Sequence, residues 1–184
     1  MKKILLILMP CLLALVGSHA AATKPNVVLM MCDDLGWGDV GFNGNKTIQT
    51  PHLDEMAANG LKFTRFYAAS AVCSPTRGSV VTGRHPYRIG VPGANSGHMK
   101  PEEHTLAELL AKLGYATGHF GKWHLGTLTK TVKESNRGGP GGVAHFSPPW
   151  QNGFQRCFST EAKTPTYDPM WKPKTKASGK GWDY

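Results

Sequence analysis

The sequence has no Cys-x-x-Cys pair among its four cysteines, which argues against a zinc ribbon or a thioredoxin-type redox site. Cys32 and Cys157 could pair in an exported chain, but two cysteines far apart in sequence do not form the framework of a disulfide-rich domain. There is no internal repeat, and only residues 4–16 form a long apolar run. That run contains Pro10 and is too short to predict a membrane span, so we expect no stable membrane anchor.

Acidic residues are scarce: 12 stand against 21 lysines and arginines, which gives a formal net charge of +9. Such a charge favours anionic partners, including sulfated glycans, nucleic acid and acidic membranes. The basic residues after position 160 are separated by proline, glycine and tryptophan and do not line one helical face, which predicts a solvated tail. Because no nucleic-acid-binding motif accompanies the charge, we predict no nucleic-acid partner.

The N-terminus has the three regions of a secretory signal peptide. Lys2 and Lys3 form the charged region, residues 4–16 the apolar region, and residues 18–22 the small-residue cleavage region. The sequence therefore predicts a cleaved leader over residues 1–22 and a secreted or periplasmic protein.

Strand-like and helix-like patterns alternate from residue 23 onwards. Continuous apolar runs predict buried strands, whereas apolar residues at helical spacing between start and stop signals predict helices. The predicted elements are a strand over 26–31, a helix over 50–60, a strand over 61–67, a helix from Ser74, a helix over 105–113 and a strand over 115–124. This alternation indicates an α/β layered fold with a mostly parallel sheet.

The stretch around Cys73 is the strongest candidate site. Ser74 and Pro75 are suited to the N-cap and first turn of a helix, so Cys73 should lie at a helix N-terminus, where anions are stabilised. Arg77 follows one turn later, and its guanidinium matches a tetrahedral oxyanion such as sulfate or phosphate. The residues alone leave open that Cys73 is a small buried apolar side chain.

Two further pairs of polar residues follow predicted strands. Asp33 and Asp34 come after the first strand, where paired oxygen ligands suit calcium or magnesium, although a simple strand-end turn is also compatible. Lys122 and His124 are two residues apart in a predicted strand, so they should share a face. By themselves they would also fit an ordinary basic loop.

The motif around Cys73, with Pro75, Arg77, Gly83 and Arg84, resembles the signature of the type I, arylsulfatase-like sulfatases of the alkaline phosphatase-like superfamily. Residues 114–124 resemble the second signature of that family, with a phenylalanine at position 120 where a smaller residue is usual. The resemblance covers about residues 25–168 and implies a partial alkaline phosphatase-like fold, a mostly parallel central sheet flanked by helices. Residues 23–184 are therefore predicted to be the N-terminal, incomplete portion of a sulfatase catalytic domain.

The resemblance also implies a cofactor and a nucleophile. A maturation enzyme would oxidise Cys73 to Cα-formylglycine, whose hydrate attacks the sulfur of a sulfate ester. Calcium, favoured over magnesium, would be bound by Asp33, Asp34 and residue 73. The second pair of metal ligands in the family, an Asp-Asn, has no candidate within the 184 residues.

The remaining roles implied by the resemblance belong to three side chains. Arg77 and Lys122 would stabilise the hydrate and the sulfate oxygens, and His124 would act as the base when sulfate is eliminated. The expected reaction is sulfate ester hydrolysis through S–O cleavage, with a sulfated glycan as one candidate substrate. The alternatives are a phosphonate or phosphate ester hydrolase of the same superfamily and a truncated, non-catalytic product, which either binds sulfated glycans or is simply defunct. Activity of the 184-residue chain alone is left open.

Overall fold

The computed structural model describes residues 24–131, 133–134, 137–138 and 140–161. The predicted signal peptide, residues 1–22, lies outside the described residues. The chain divides into two units, Met1–Cys32 and Asp33–Tyr184. Among the described residues, no helix is both long and apolar enough to cross a membrane.

In the described part of the chain, three α-helices begin and end at signals in the sequence. Helix α1 spans Pro51–Asn59 and starts with proline, helix α2 spans Cys73–Thr82, and helix α3 spans Leu106–Lys112. Helix α3 has the predicted capping box, since the Thr105 hydroxyl accepts from the Glu108 N–H and the Glu108 carboxylate accepts from the Thr105 N–H. These helices confirm the helical predictions for this part of the chain.

The longer sheet pairs strand β1, Gly118–Lys122, with strand β4, Arg156–Thr160, in parallel. A short antiparallel pair joins β2, Lys133–Glu134, to β3, Arg137–Gly138. The register of the parallel pair sets Lys122 opposite Thr160, and the Trp123 N–H extends the pairing by donating to the Thr160 carbonyl at 2.8 Å. Parallel strands connected through intervening elements confirm the predicted α/β class.

The predictions of strands over 26–31 and 61–67 are wrong for this structure. Neither segment has strand pairing, and the apolar side chains are exposed, Val28 at 79% and Phe66 at 82%. A strand needs a neighbour that satisfies its backbone N–H and C=O groups. Among the described residues, strands of five residues pair only between β1 and β4.

The core lies beneath helix α2 and the end of strand β1. Its buried members are Ile89, Val91, Met99, Trp123, Leu125 and Leu128, with Val81 and Phe154 packed against them. Gly78 brings helix α2 close to this core, because a Cβ at that position would lie 2.4 Å from Cδ1 of Ile89. The close approach positions the start of helix α2 relative to the end of strand β1.

Candidate functional site

Cys73 is the first residue of helix α2 and is partly buried. The predicted N-cap is displaced, because Val72 rather than Ser74 occupies it. The buried Ser74 hydroxyl donates to the Ala94 carbonyl instead of capping the helix. The sequence nevertheless predicted correctly that Cys73 lies at the N-terminus of a helix, where exposed amide N–H groups favour negative charge.

Two cations converge on the carboxylate of Asp33. Nη2 of Arg77 lies 3.0 Å from Oδ1 of Asp33, and Nζ of Lys122 lies 3.0 Å from Oδ2. Arg77 also donates from Nη1 to the Lys122 carbonyl at 2.6 Å, which fixes the guanidinium against the end of strand β1. The Arg77 and Lys122 side chains are only 12% and 9% exposed, whereas that of Asp33 is 42% exposed.

Asp33, Arg77 and Lys122 together carry a positive balance of charge. Two nearly buried cations share one carboxylate, so one positive charge is left over within the trio. Burial by itself raises the pKa of Asp33, but hydrogen bonds from Lys122 and Arg77 outweigh it and hold the pKa below the usual value of 3.8. Asp33 is therefore ionised at neutral pH. The Asp34 carboxyl lies in the same cluster, so a cation bound at Asp33 and Asp34 would be needed for a sulfate or phosphate group to meet a positive balance over the whole site.

Asp33, Asp34 and Cys73 form a cluster suited to a cation. One potential ligand atom from each lies within 4.8 Å of the other two. Asp34 has a left-handed backbone with φ of 57°, a conformation that aspartate and asparagine tolerate better than most residues. Carboxylate oxygens are ligands that calcium prefers, and an oxygen in place of the thiol at position 73 would make all three of these ligands oxygens, part of the shell of about six to eight that calcium takes. These residues fit a calcium ion.

Asp34→Asn should weaken calcium binding by at least about tenfold while leaving the fold intact, because asparagine tolerates the left-handed backbone but lacks the charge. Calorimetric titration of the natural gene product with calcium measures the effect. Asp39→Asn is the matched control, since Asp39 accepts from the Gly36 N–H at 2.7 Å and lies outside the cluster. Equal calcium affinity in the Asp34 variant and the control would contradict the assignment.

Lys122 and His124 flank a buried tryptophan. Trp123 is 1% exposed, and its indole N–H donates to the Ser147 carbonyl at 2.7 Å. Strand β1 ends at Lys122, and His124 has a left-handed φ of 55°. Lys122 and His124 therefore do not lie on one strand as predicted, because the strand ends at Lys122 and the backbone is not extended at His124.

His124 contacts Asn95, a residue of a nearby loop. Its side chain is buried at 4% exposure, and Nε2 lies 2.9 Å from Oδ1 of Asn95. Asn95 is a site residue that the sequence did not reveal, because it lies in a loop without a recognisable motif. Asn95 and His124 are 29 residues apart in the sequence, so no helical or strand periodicity connects them.

His119 is a second residue that sequence reasoning missed. It lies in strand β1, its Nδ1 is 2.7 Å from the Ser159 hydroxyl, and its ring packs edge-on against Trp123 and Phe154. Burial, with a smaller contribution from the charge of Arg77, lowers the pKa of His119 from 6.5 to about 4. The imidazole is therefore neutral at physiological pH.

Neutral His119 should contribute its full share to the free energy of unfolding above pH 6.5. That contribution should be lost as the pH falls towards 4, because the unfolded state takes up a proton at a higher pH than the folded state. The loss amounts to at most about 3 kcal/mol over the full titration range, of which about 2 kcal/mol falls between pH 7 and pH 5. Urea denaturation at pH 7 and pH 5 measures it, with His119→Met as the control that removes the titrating group. An equal loss of stability in both proteins between those pH values would refute the role of His119.

Comparisons with known proteins give these features a family context. A family profile described as Sulfatase matches residues 25–180. Arylsulfatase A of Homo sapiens is 46% identical over 150 residues, which cover 79% of this chain and 27% of that protein. Steryl-sulfatase of Rattus norvegicus is 45% identical over 170 residues, which cover 83% of this chain and 28% of that protein.

A solved structure agrees with the sequence matches. The crystal structure of Ps i-CgsB in complex with k-i-k-neocarrahexaose superposes with a TM-score of 0.57 at 33% identity, over 75% of this chain and 28% of that chain. The chain thus spans little more than a quarter of the length of the relatives it matches.

Proposed function

The chain belongs to the sulfatase family, and we propose that the protein it represents hydrolyses sulfate esters, with residue 73 supplying the nucleophile. The observation that carries this proposal is the pair of nearly buried cations, Arg77 and Lys122, bound to Asp33 in the same site as Cys73. A sulfate ester carries negative charge on its non-bridging oxygens. A rigid positive site stabilises that charge and the charge that develops as the S–O bond breaks.

In this proposal, residue 73 supplies the nucleophile and calcium activates it. Formylglycine at position 73 would supply an oxygen nucleophile in place of sulfur, and calcium held by Asp33 and Asp34 would favour its deprotonation. The position of residue 73 at the start of helix α2 supports this role, because the helix N-terminus also stabilises negative charge.

The remaining roles in the proposed site belong to Arg77, Lys122 and His124. Arg77 is anchored to the Lys122 carbonyl and to Asp33, so its guanidinium would hold a sulfate group without first reorganising. Lys122 would neutralise a sulfate oxygen while Asp33 keeps its ammonium group in place. His124, buried beside the end of strand β1, would accept a proton during the release of sulfate.

The substrate class and cellular context are part of the same proposal. Relatives named arylsulfatase and steryl-sulfatase, and a solved relative in complex with k-i-k-neocarrahexaose, favour a sulfated organic alcohol, with a sulfated glycan as the leading candidate. The signal-like segment over residues 1–22 supports export to the periplasm or the exterior. A formylglycine-generating maturation enzyme would then be a required partner.

Turnover of an aryl sulfate compared with the matching aryl phosphate tests the proposed reaction. The protein should be the full natural gene product, produced together with a formylglycine-generating enzyme and supplied with calcium. We expect kcat/KM for the sulfate to exceed that for the phosphate by at least about tenfold. A preference for phosphate would favour the phosphatase alternative, and turnover of neither ester would favour a non-catalytic product.

A further inference from the structure

The loop over residues 93–97 links the start of helix α2 to His124. Its backbone is held by an isolated bridge between Gly93 and Ser96. At Gly97, φ is 71° and a Cβ would collide with the Gly90 carbonyl, so the loop is tightly fitted against its neighbour. A loop fixed in this way can hold a side chain in one orientation.

Two consecutive residues of this loop, Ala94 and Asn95, contact the proposed site. Ser74, completely buried and directly after Cys73, donates its hydroxyl to the Ala94 carbonyl. The next residue, Asn95, directs Oδ1 to Nε2 of His124 at 2.9 Å. Consecutive loop residues therefore contact the helix that begins with Cys73 and the histidine that the proposed function uses as a base.

The chemistry of the Asn95 contact determines which ring nitrogen carries the proton. An amide oxygen only accepts hydrogen bonds, so Nε2 of His124 must donate to it. A neutral imidazole carries a single ring proton, and Nδ1 is then the basic atom. The opposite tautomer would set the lone pair of Nε2 against the lone pairs of Oδ1 at hydrogen-bond distance.

We propose that Asn95 is a positioning residue that holds His124 in the Nε2–H tautomer and so presents Nδ1 as its proton-accepting atom. This inference rests on the proposed function for the role of His124 as a base, but the tautomer itself does not depend on turnover. The left-handed backbone of His124 and the burial of its neighbour Trp123 restrict the ring further. Asn95 supplies a directional contact that favours one of the two tautomers.

Nitrogen NMR of histidine-labelled protein tests the proposal on the full, matured gene product. The His124 resonances are assigned by their loss in His124→Gln. We expect a proton on Nε2 and none on Nδ1 in the wild type, and a mixture of tautomers in Asn95→Leu. Asn95→Asp should retain the Nε2–H form, because a carboxylate oxygen also only accepts. A proton on Nδ1 in the wild type, or an unchanged tautomer in Asn95→Leu, overturns the proposal.

Kinetics on the same variants separate positioning from a general loss of structure. Asn95→Leu should lower kcat for an aryl sulfate by about 10- to 100-fold with KM within about threefold, whereas Asn95→Asp should recover most of kcat. Equal kcat in the leucine variant and the wild type overturns the positioning role. If the wild type shows the Nε2–H tautomer but hydrolyses no sulfate ester, the proposed function fails while the assignment of Asn95 stands.

Discussion

Cys73→Ala should reduce sulfate ester hydrolysis by roughly 10⁴-fold or more. The substitution removes the thiol that the proposed conversion to formylglycine requires, so no hydrate oxygen could form at position 73. Alanine is a good helix former and the thiol is only partly buried at the first residue of helix α2, so the free energy of unfolding should change by about 1 kcal/mol or less. Initial rates of aryl sulfate hydrolysis measure the loss.

Cys157→Ala is the matched control for that experiment. Cys157 lies in strand β4, where its thiol is 3.5 Å from the Phe154 carbonyl and burial raises its pKa. It is not part of the cluster around Asp33. We expect its removal to leave turnover within about threefold of the wild type. Sulfate release that survives in Cys73→Ala would place the nucleophile elsewhere.

Lys122→Met should lower kcat/KM for the aryl sulfate by about 10²- to 10³-fold. Methionine retains much of the apolar stem of lysine but removes the charge that faces Asp33 at 3.0 Å. Asp33 would keep its ion pair with Arg77, so the carboxylate is not left unpaired and the protein should remain folded. Steady-state kinetics measure the effect, and circular dichroism checks that the fold is retained.

Lys62→Met controls for the loss of a positive charge. Lys62 donates to the Phe42 carbonyl at 2.9 Å and lies over the Phe42 ring, outside the proposed site. Its removal should leave kcat/KM within about threefold of the wild type. Comparable rates in the two variants would show that Lys122 acts only through the net charge of the protein.

The sequence predicted the parts of this structure that depend on local signals. Proline at the start of helix α1 and the capping pair at Thr105 and Glu108 are decided within a few residues, and both appear where expected. The sulfatase resemblance is confirmed by the family match and the relatives. The assignment of roles to Cys73 and its neighbours stays a prediction.

Other features depend on contacts distant in sequence and could not be predicted. The apolar run over 26–31 has the composition of a buried strand, but composition does not say whether a neighbouring strand pairs with it. Ser74 has the chemistry of an N-cap, yet its hydroxyl donates to Ala94, twenty residues away. The contact between Asn95 and His124 likewise arises only once the loop is folded against the core.

The mass of the tryptic peptide over residues 66–77 tests the central claim most directly. It should be measured on protein that hydrolyses an aryl sulfate and was produced with a formylglycine-generating enzyme. The account predicts an aldehyde at position 73, seen as a mass below that of the cysteine peptide and trapped by a hydrazide reagent. An intact Cys73 thiol throughout a fully active preparation would contradict the account.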